Sequence, residues 1–366
     1  MDNAPFRAEH IGSLPRPKAL LEARKARTEG KIPAEELSRL EDEAVRAAVA
    51  LQERVGIDCL TDGEMTKSSY RDFLFESCEG FGGPVPSPLV FRQFDGKTFP
   101  GGAGRRVVGK VRRVKPLTVN DFVKLKTLTK KPIKANVPAP STAHLASGDA
   151  AIDKSAYSDR AAYFADLVQV YKEEIADLAK QGCTYLQMDE VPLALLCDPK
   201  NCETFRARGE DPDRLIGEYI DLINRSVEGR PKNMTVAVHM CRGNIGHGMA
   251  DGGYEPIAER MFGTLDVDGY FLEYDTSRAG DFRPLRFLPK GKKAVLGIVT
   301  TKVPEIEDAD ALKRRIDEAA KVVPLDQLCL SPQCGFASAA MEDRLPPGTV
   351  EKKLARIVEV AREVWK

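Results

Sequence analysis

His239 and Cys241 close the run MTVAVHMC and stand two residues apart. On a strand, positions i and i+2 point the same way, about 6.6 Å apart. That leaves room for one ion between an imidazole nitrogen and a thiolate. A buried histidine beside a buried cysteine would read the same way, so the pair needs a third ligand. Cys334 in SPQCGF supplies one, just past another apolar run, where Gly335 lets the backbone turn. Three nitrogen and sulfur ligands with an open position describe a catalytic zinc site. Glu273 in FLEYD offers an oxygen as a fourth ligand that a substrate can displace; Asp275, on the same strand face, competes for that role.

The other cysteines read differently. Cys59, Cys183 and Cys329 fall in or beside apolar runs and fit a packed interior. Cys197 and Cys202 have CxxxxC spacing without a further ligand pair, and Cys78 has no evident partner. His10 precedes IGSL and is placed to face the site, whereas His144 and His247 read as loop histidines.

The chemistry requires elements that bring these segments together. Pro33 suits the first turn of a helix, and Leu37, Leu40, Ala44, Ala48, Leu51 and Val55 follow at steps of three and four. Gly56 stops it. Further helices are expected near Ser158 to Gly182, Pro212 to Gly229, Asp308 to Val322 and Val350 to Lys366. Short apolar runs alternate with them, giving candidate strands at 10–14, 57–62, 133–138, 184–190, 234–240, 269–275, 294–300 and 326–333. Helix and strand in alternation imply parallel strands joined by crossovers. Eight units predict a (β/α)8 TIM barrel, read as a single catalytic domain over 1–366, with an open doubly wound sheet as runner-up. No GxGxxG follows an early strand, which weakens that runner-up. The Gly- and Pro-rich stretch 80–116, ending in RRVVGKVRRV, reads as an inserted β-hairpin. Asp62 and Glu64, Asp189 and Glu190, His239 and Cys241, Glu273 and Asp275, and Cys334 all end strands. In a barrel those ends share the rim that carries the active site.

The 366 residues carry 55 basic and 55 acidic side chains, a formal net charge of zero. No basic excess argues for nucleic acid, and no apolar run approaches the ~18 residues of a membrane span. The start MDNAPFRAEH does not read as a signal peptide, so the expectation is a reducing cytoplasm and free thiols.

The motifs HIGSLPRP, TDGEM, YLQMDEVP, VHMC, EYDTSR and SPQCG occur in that order. Together they resemble cobalamin-independent methionine synthase, in its catalytic C-terminal half and its single-barrel branch, from about Arg7 onward. The resemblance implies transfer of a methyl group to the thiol of homocysteine. His239, Cys241 and Cys334 match the family's zinc ligands, and Glu273 matches its glutamate, although alignment on TSR would put Asp275 there. Ser13 matches the serine that holds the amino acid's carboxylate. Glu64 and Asp189 match the acids that grip its ammonium. A metal-bound thiol loses its proton near neutral pH, where a free thiol of pKa about 8.5 stays mostly protonated.

The chain departs from the family in two places. VLGIVTTKVP has no histidine where the family's catalytic one is expected, and offers Lys302 or Thr301 instead. No aromatic platform for a pterin ring is evident in IKANVPAPS. These departures favour a methylated corrinoid, on a small carrier protein, over methyl-tetrahydrofolate as the donor. Two other functions fit. One is another zinc-dependent thiol alkyltransferase, such as an epoxide:coenzyme M transferase, for which Arg16 and Arg242 are the nearest cations to a sulfonate. The other is a non-catalytic zinc or small-molecule binding barrel.

Overall fold

The structure is a computed structural model that describes residues 4–93, 95–244, 250–340 and 345–366. His247, read above as a loop histidine, lies outside them. An insertion carries the first four strands, β1 (Cys78–Val85), β2 (Val90–Arg92), β3 (Thr98–Pro100) and β4 (Gly104–Arg113). The next six are β5 (Ala135–Pro138), β6 (Tyr185–Asp189), β7 (Thr235–Met240), β8 (Gly269–Glu273), β9 (Lys293–Val299) and β10 (Leu328–Pro332). These six form one parallel sheet in the order β10-β9-β8-β7-β6-β5. Sequence neighbours are spatial neighbours throughout, as short crossovers favour.

Helices Arg160–Lys180, Pro212–Val227, Glu255–Thr264 and Ala309–Ala320 fill four of the crossovers. Their ends carry local signals. Asp159 and Asp308 cap through their carboxylates onto Ala162 N and Ala311 N, and Gly56, at φ 79°, ends Ala34–Val55. Between β8 and β9 the connection holds only the 3₁₀ turns Ser277–Ala279 and Arg283–Phe287. Among the described residues no helix is long and apolar enough to cross a membrane.

Of the first two expected strands, 10–14 forms no bridge, the parallel bridge falling before it at Ala8 with Leu330, and 57–62 keeps a single parallel bridge, Leu60 with Ile133. Hydrogen bonds run from β10 through Leu330 N to Arg7 O (2.9 Å) and from Asp58 N to Ala8 O (3.2 Å), then from Lys134 N to Leu60 O (2.9 Å) beside β5. The run 10–14 forms no ladder because side chains take its carbonyls. Asn136 and Gln187 donate to Ile11 O at 2.7 and 2.9 Å, and Thr61 donates to Gly12 O at 2.8 Å. A Cβ on Gly12 would lie 2.6 Å from Asn136 Nδ2, so only glycine allows that approach. Ile11, Cys59, Tyr185, Ala237, Phe271, Val295 and Cys329 form their own apolar cluster, apart from the larger core between strands and helices. Each comes from a different extended segment, which bears out the interior reading of Cys59 and Cys329.

The insertion is two nested antiparallel pairs, β1 with β4 and β2 with β3. Its far end is tied to the rim beyond the strand ends. Arg92 pairs with Asp198 at 3.0 Å, and Arg71 donates to Gly102 O and Ala103 O at 3.3 and 2.9 Å.

Candidate metal centre

His239 points from β7 at the level of Asp189 on β6, its register partner. Cys241 follows β7 immediately, and Cys334 lies two residues past β10. One ligand atom from each of His239, Cys241 and Cys334 lies within 4.8 Å of the others. All three residues are buried, and neither ring nitrogen of His239 has a hydrogen-bond partner. A buried imidazole with both nitrogens unused, facing two sulfurs, is a donor set that fits a thiophilic divalent ion such as zinc. A hydrogen bond from Cys241 holds Cys334 well below the usual thiol range, with His239 adding to the effect, while Cys241 is pushed up. Burial disfavours the His239 cation, but the neighbouring Cys334 outweighs it and raises the imidazole.

Glu273 ends β8 beside this group but is not part of it. Its carboxylate accepts from Arg242 N at 2.8 Å and from Lys302 Nζ at 3.1 Å. Asp275 is held by the same Lys302 at 3.0 Å. Both candidates for a fourth ligand are thus engaged by one lysine. Lys302, expected in a catalytic role, bonds both carboxylates. Burial lowers its pKa, but Glu273 and Asp275 together outweigh burial and raise it, so it stands as a counter-ion to these acids.

The metal group opens into a cavity. Ser13, Glu64 and Asp189 line the same cavity. Gly335 backs directly onto Ser13: a methyl group there would overlap Ser13 Oγ, so the residue after Cys334 must be bare. Glu64, whose side chain lines the cavity, has φ 57°, the one non-glycine residue with positive φ among those described. Its Oε2 is buried without a hydrogen-bond partner, 3.6 Å from the Arg16 guanidinium. Burial pushes Glu64 up to about 7, against the pull of Arg16 and Lys67, and raises Asp189 to about 6, against the pull of His239. The helix cap after β6 is Glu190, which accepts from Leu193 N at 2.9 Å, leaving Asp189 free of that duty.

His10 does not face this site. It packs without a hydrogen-bond partner among Gln52, Cys59 and Lys134, and burial lowers it to about 3. His144 bonds Tyr219 and Asp149 and forms, with Asp149 and Glu210, the other group of ligand-type atoms among the described residues. Arg160 and Arg208 hold those two acids, so that group reads as a structural network. Cys197 and Cys202 donate to Leu193 O and Leu196 O instead of meeting a metal. Sequence reading missed Leu89, Phe91 and Tyr70 in the cavity wall. The alternation of Leu89 and Phe91 within PSPLVFRQF was the available signal, but nothing local shows that the insertion folds over the site.

The family model described as cobalamin-independent synthase, catalytic domain, matches residues 6–363. The chain is similar to the uncharacterized protein YxjH of Bacillus subtilis, 38% identical over 366 residues, 99% of this chain and 96% of that one. It is similar to the methionine synthase of Pyrococcus abyssi, 28% identical over 360 residues, 97% of this chain and 92% of that one. A solved structure from Listeria monocytogenes, provisionally named a vitamin-B12-independent methionine synthase, superposes with a TM-score of 0.77 at 30% identity, with both chains fully covered (100%). The family's cobalamin independence corrects the corrinoid donor and carrier weighed from the sequence, which find no support here. The chain belongs, through its catalytic domain, to the cobalamin-independent methionine synthase family of homocysteine S-methyltransferase-like enzymes.

Proposed function

We propose that this protein methylates homocysteine to methionine in a zinc site made by His239, Cys241 and Cys334, with a methyl-tetrahydropteroylglutamate as donor. The observation that carries the reading is one cavity in which a buried His-Cys-Cys group faces two buried carboxylates. Zinc there supplies a Lewis acid that keeps a substrate sulfur deprotonated near neutral pH. Glu64 and Asp189 hold the ammonium, and Ser13 holds the carboxylate, so the sulfur is carried toward His239, Cys241 and Cys334. Apolar walls exclude water from the nucleophile. The sulfur–carbon bond forms as the carbon–nitrogen bond breaks, and the leaving nitrogen keeps the electron pair and takes up a proton from solvent, replacing the one the homocysteine thiol released. Lys302 holds Glu273 and Asp275 beside the metal group. The hydrogen bonds linking β10 to β5 through residues 7–9 and 58–60 support closure as an eight-stranded (β/α)8 barrel in one catalytic domain.

An epoxide:coenzyme M transferase fits less well. Arg16 spends its guanidinium on Leu14 O, Ala337 O and Lys67 O, and Arg242 on Gly252 O and Glu273 O, and neither lines the cavity. A closed structural zinc site also fits less well, because three ligand residues border an open cavity. The test is methionine formation from homocysteine and methyl-tetrahydropteroyl-triglutamate by the zinc-loaded protein. Homocysteine-dependent methionine is expected; absence of product at saturating substrates and full zinc content overturns the reading.

A further inference from the structure

The ligand-type and acidic residues of the cavity account for an amino acid and a metal. Its lining also holds Leu89 and Phe91 of the insertion with Leu145, Val191, Pro192 and Leu195, beside the polar Tyr70, Arg71 and Ser87. Leu89 and Phe91 are only 4% and 6% exposed although they belong to an excursion from the sheet. Phe91 packs on Gly243, two residues beyond Cys241; a Cβ there would lie 2.7 Å from the ring. The wall is held in place. Arg92 pairs with Asp198, which also accepts from Asp251 N at 3.0 Å, and Arg278 reaches back to Arg92 O. Set into the wall is one buried hydroxyl without a partner, Thr142 Oγ1.

We propose that the inserted hairpin is the docking wall for the group that carries the methyl, and that Phe91 selects a flat, uncharged ring with one polar edge. This rests on the methyl-transfer reading above. In-line attack needs the methyl carbon to face the sulfur, with the leaving atom on the far side. With the sulfur placed at His239, Cys241 and Cys334, the hairpin side is where the donor fits. Leucine, valine, proline and phenylalanine side chains favour burial of a ring face. Among the described residues, Thr142 Oγ1 is a buried cavity hydroxyl with no partner, free to meet a polar ring edge. The two carboxylates lining the cavity, Glu64 and Asp189, are taken by the ammonium, so a small sulfonium donor would lose its water without a counter-charge of its own.

Equilibrium dialysis of the zinc-loaded protein tests this with two probes, methyl-tetrahydropteroyl-triglutamate and S-methylmethionine, with homocysteine affinity measured in parallel. The wild type is expected to bind the ring donor at least ten-fold more tightly than the sulfonium. Phe91→Leu should weaken the ring donor ten-fold or more and Phe91→Trp should retain it, with homocysteine affinity within two-fold in both. Thr142→Val, nearly isosteric, should also weaken the ring donor and guards against a folding defect in the Phe91 variants. Ring-donor affinity unchanged in both Phe91→Leu and Thr142→Val, a preference for the sulfonium, or no ring-donor binding by the wild type would overturn the proposal. If homocysteine fails to bind while the ring-donor results hold, the methyl-transfer reading fails and the hairpin wall stands as a ring-binding site.

Discussion

Asp189 and His239 are register partners on adjacent parallel strands, and Glu190 N bonds His239 O at 2.7 Å, locking the pair in step. Neighbouring strands run about 4.8 Å apart. The acid proposed for the substrate ammonium is therefore fixed beside the imidazole proposed for the metal by backbone geometry alone. Asp189→Asn keeps that backbone and removes the charge. A lost charge-assisted hydrogen bond is worth roughly 1.5–3 kcal/mol, so homocysteine affinity should fall ten-fold to a hundred-fold. Zinc content should stay at one per chain. Titration calorimetry checks the first and elemental analysis the second; unchanged homocysteine affinity rules out the assignment of Asp189.

If Glu64 holds the substrate ammonium as proposed, binding should be pH-dependent. Burial raises its carboxyl to about 7, so it is charged above that value and neutral below it. An ammonium needs the charged form, so affinity should hold above pH 7 and fall as pH drops through it, by up to about ten-fold per unit. Methionine is the suitable probe because its thioether does not titrate. The same shift has a stability sign. A folded value above the ordinary 4.5 favours the folded state only while Glu64 is protonated, so ligand-free protein loses stability as pH rises through 7. Methionine affinity measured at pH 5.5 and pH 8 should differ more in the wild type than in Glu64→Gln, where only Asp189, raised to about 6, still titrates in that range. Level wild-type affinity would contradict this role.

Metal binding should depend on both sulfurs. Cys241→Ala and Cys334→Ala each leave two of the three ligands and should lose most of the zinc. Elemental analysis after dialysis decides it, with Cys197→Ala as the control that keeps its metal. Full zinc content in both ligand variants means the site lies elsewhere.

Lys302 bonds the side chains of both Asp275 and Glu273, beside Thr300 at the first and Arg242 N at the second. Lys302→Met would leave two buried carboxylates short of a counter-charge. Breaking a buried ion pair from one side costs about 3–5 kcal/mol. Urea unfolding of the zinc-free protein should show a loss of that order, and a loss under about 1 kcal/mol would show that water or another cation already compensates these acids.

Much of this protein is written locally. The helix over 34–55 shows its apolar stripe and its stop at Gly56 in sequence, and β6 to β10 show as apolar runs ending in polar residues. The i, i+2 spacing of His239 and Cys241 follows from strand geometry, and Cys334 joins them because parallel strands put their C-terminal ends on one side. Three matters were decided only by the tertiary structure. The expected strand at 10–14 fails because Asn136, Gln187 and Thr61, distant in sequence, take the carbonyls a ladder would use. Lys302 becomes a counter-ion because the strand order sets it against Glu273 and Asp275. The insertion becomes a wall of the cavity because Arg92 meets Asp198, a pairing across 106 residues. Periodicity reports which face of an element is buried, but not which element comes to lie against it; the packing of remote charges and carbonyls settles that.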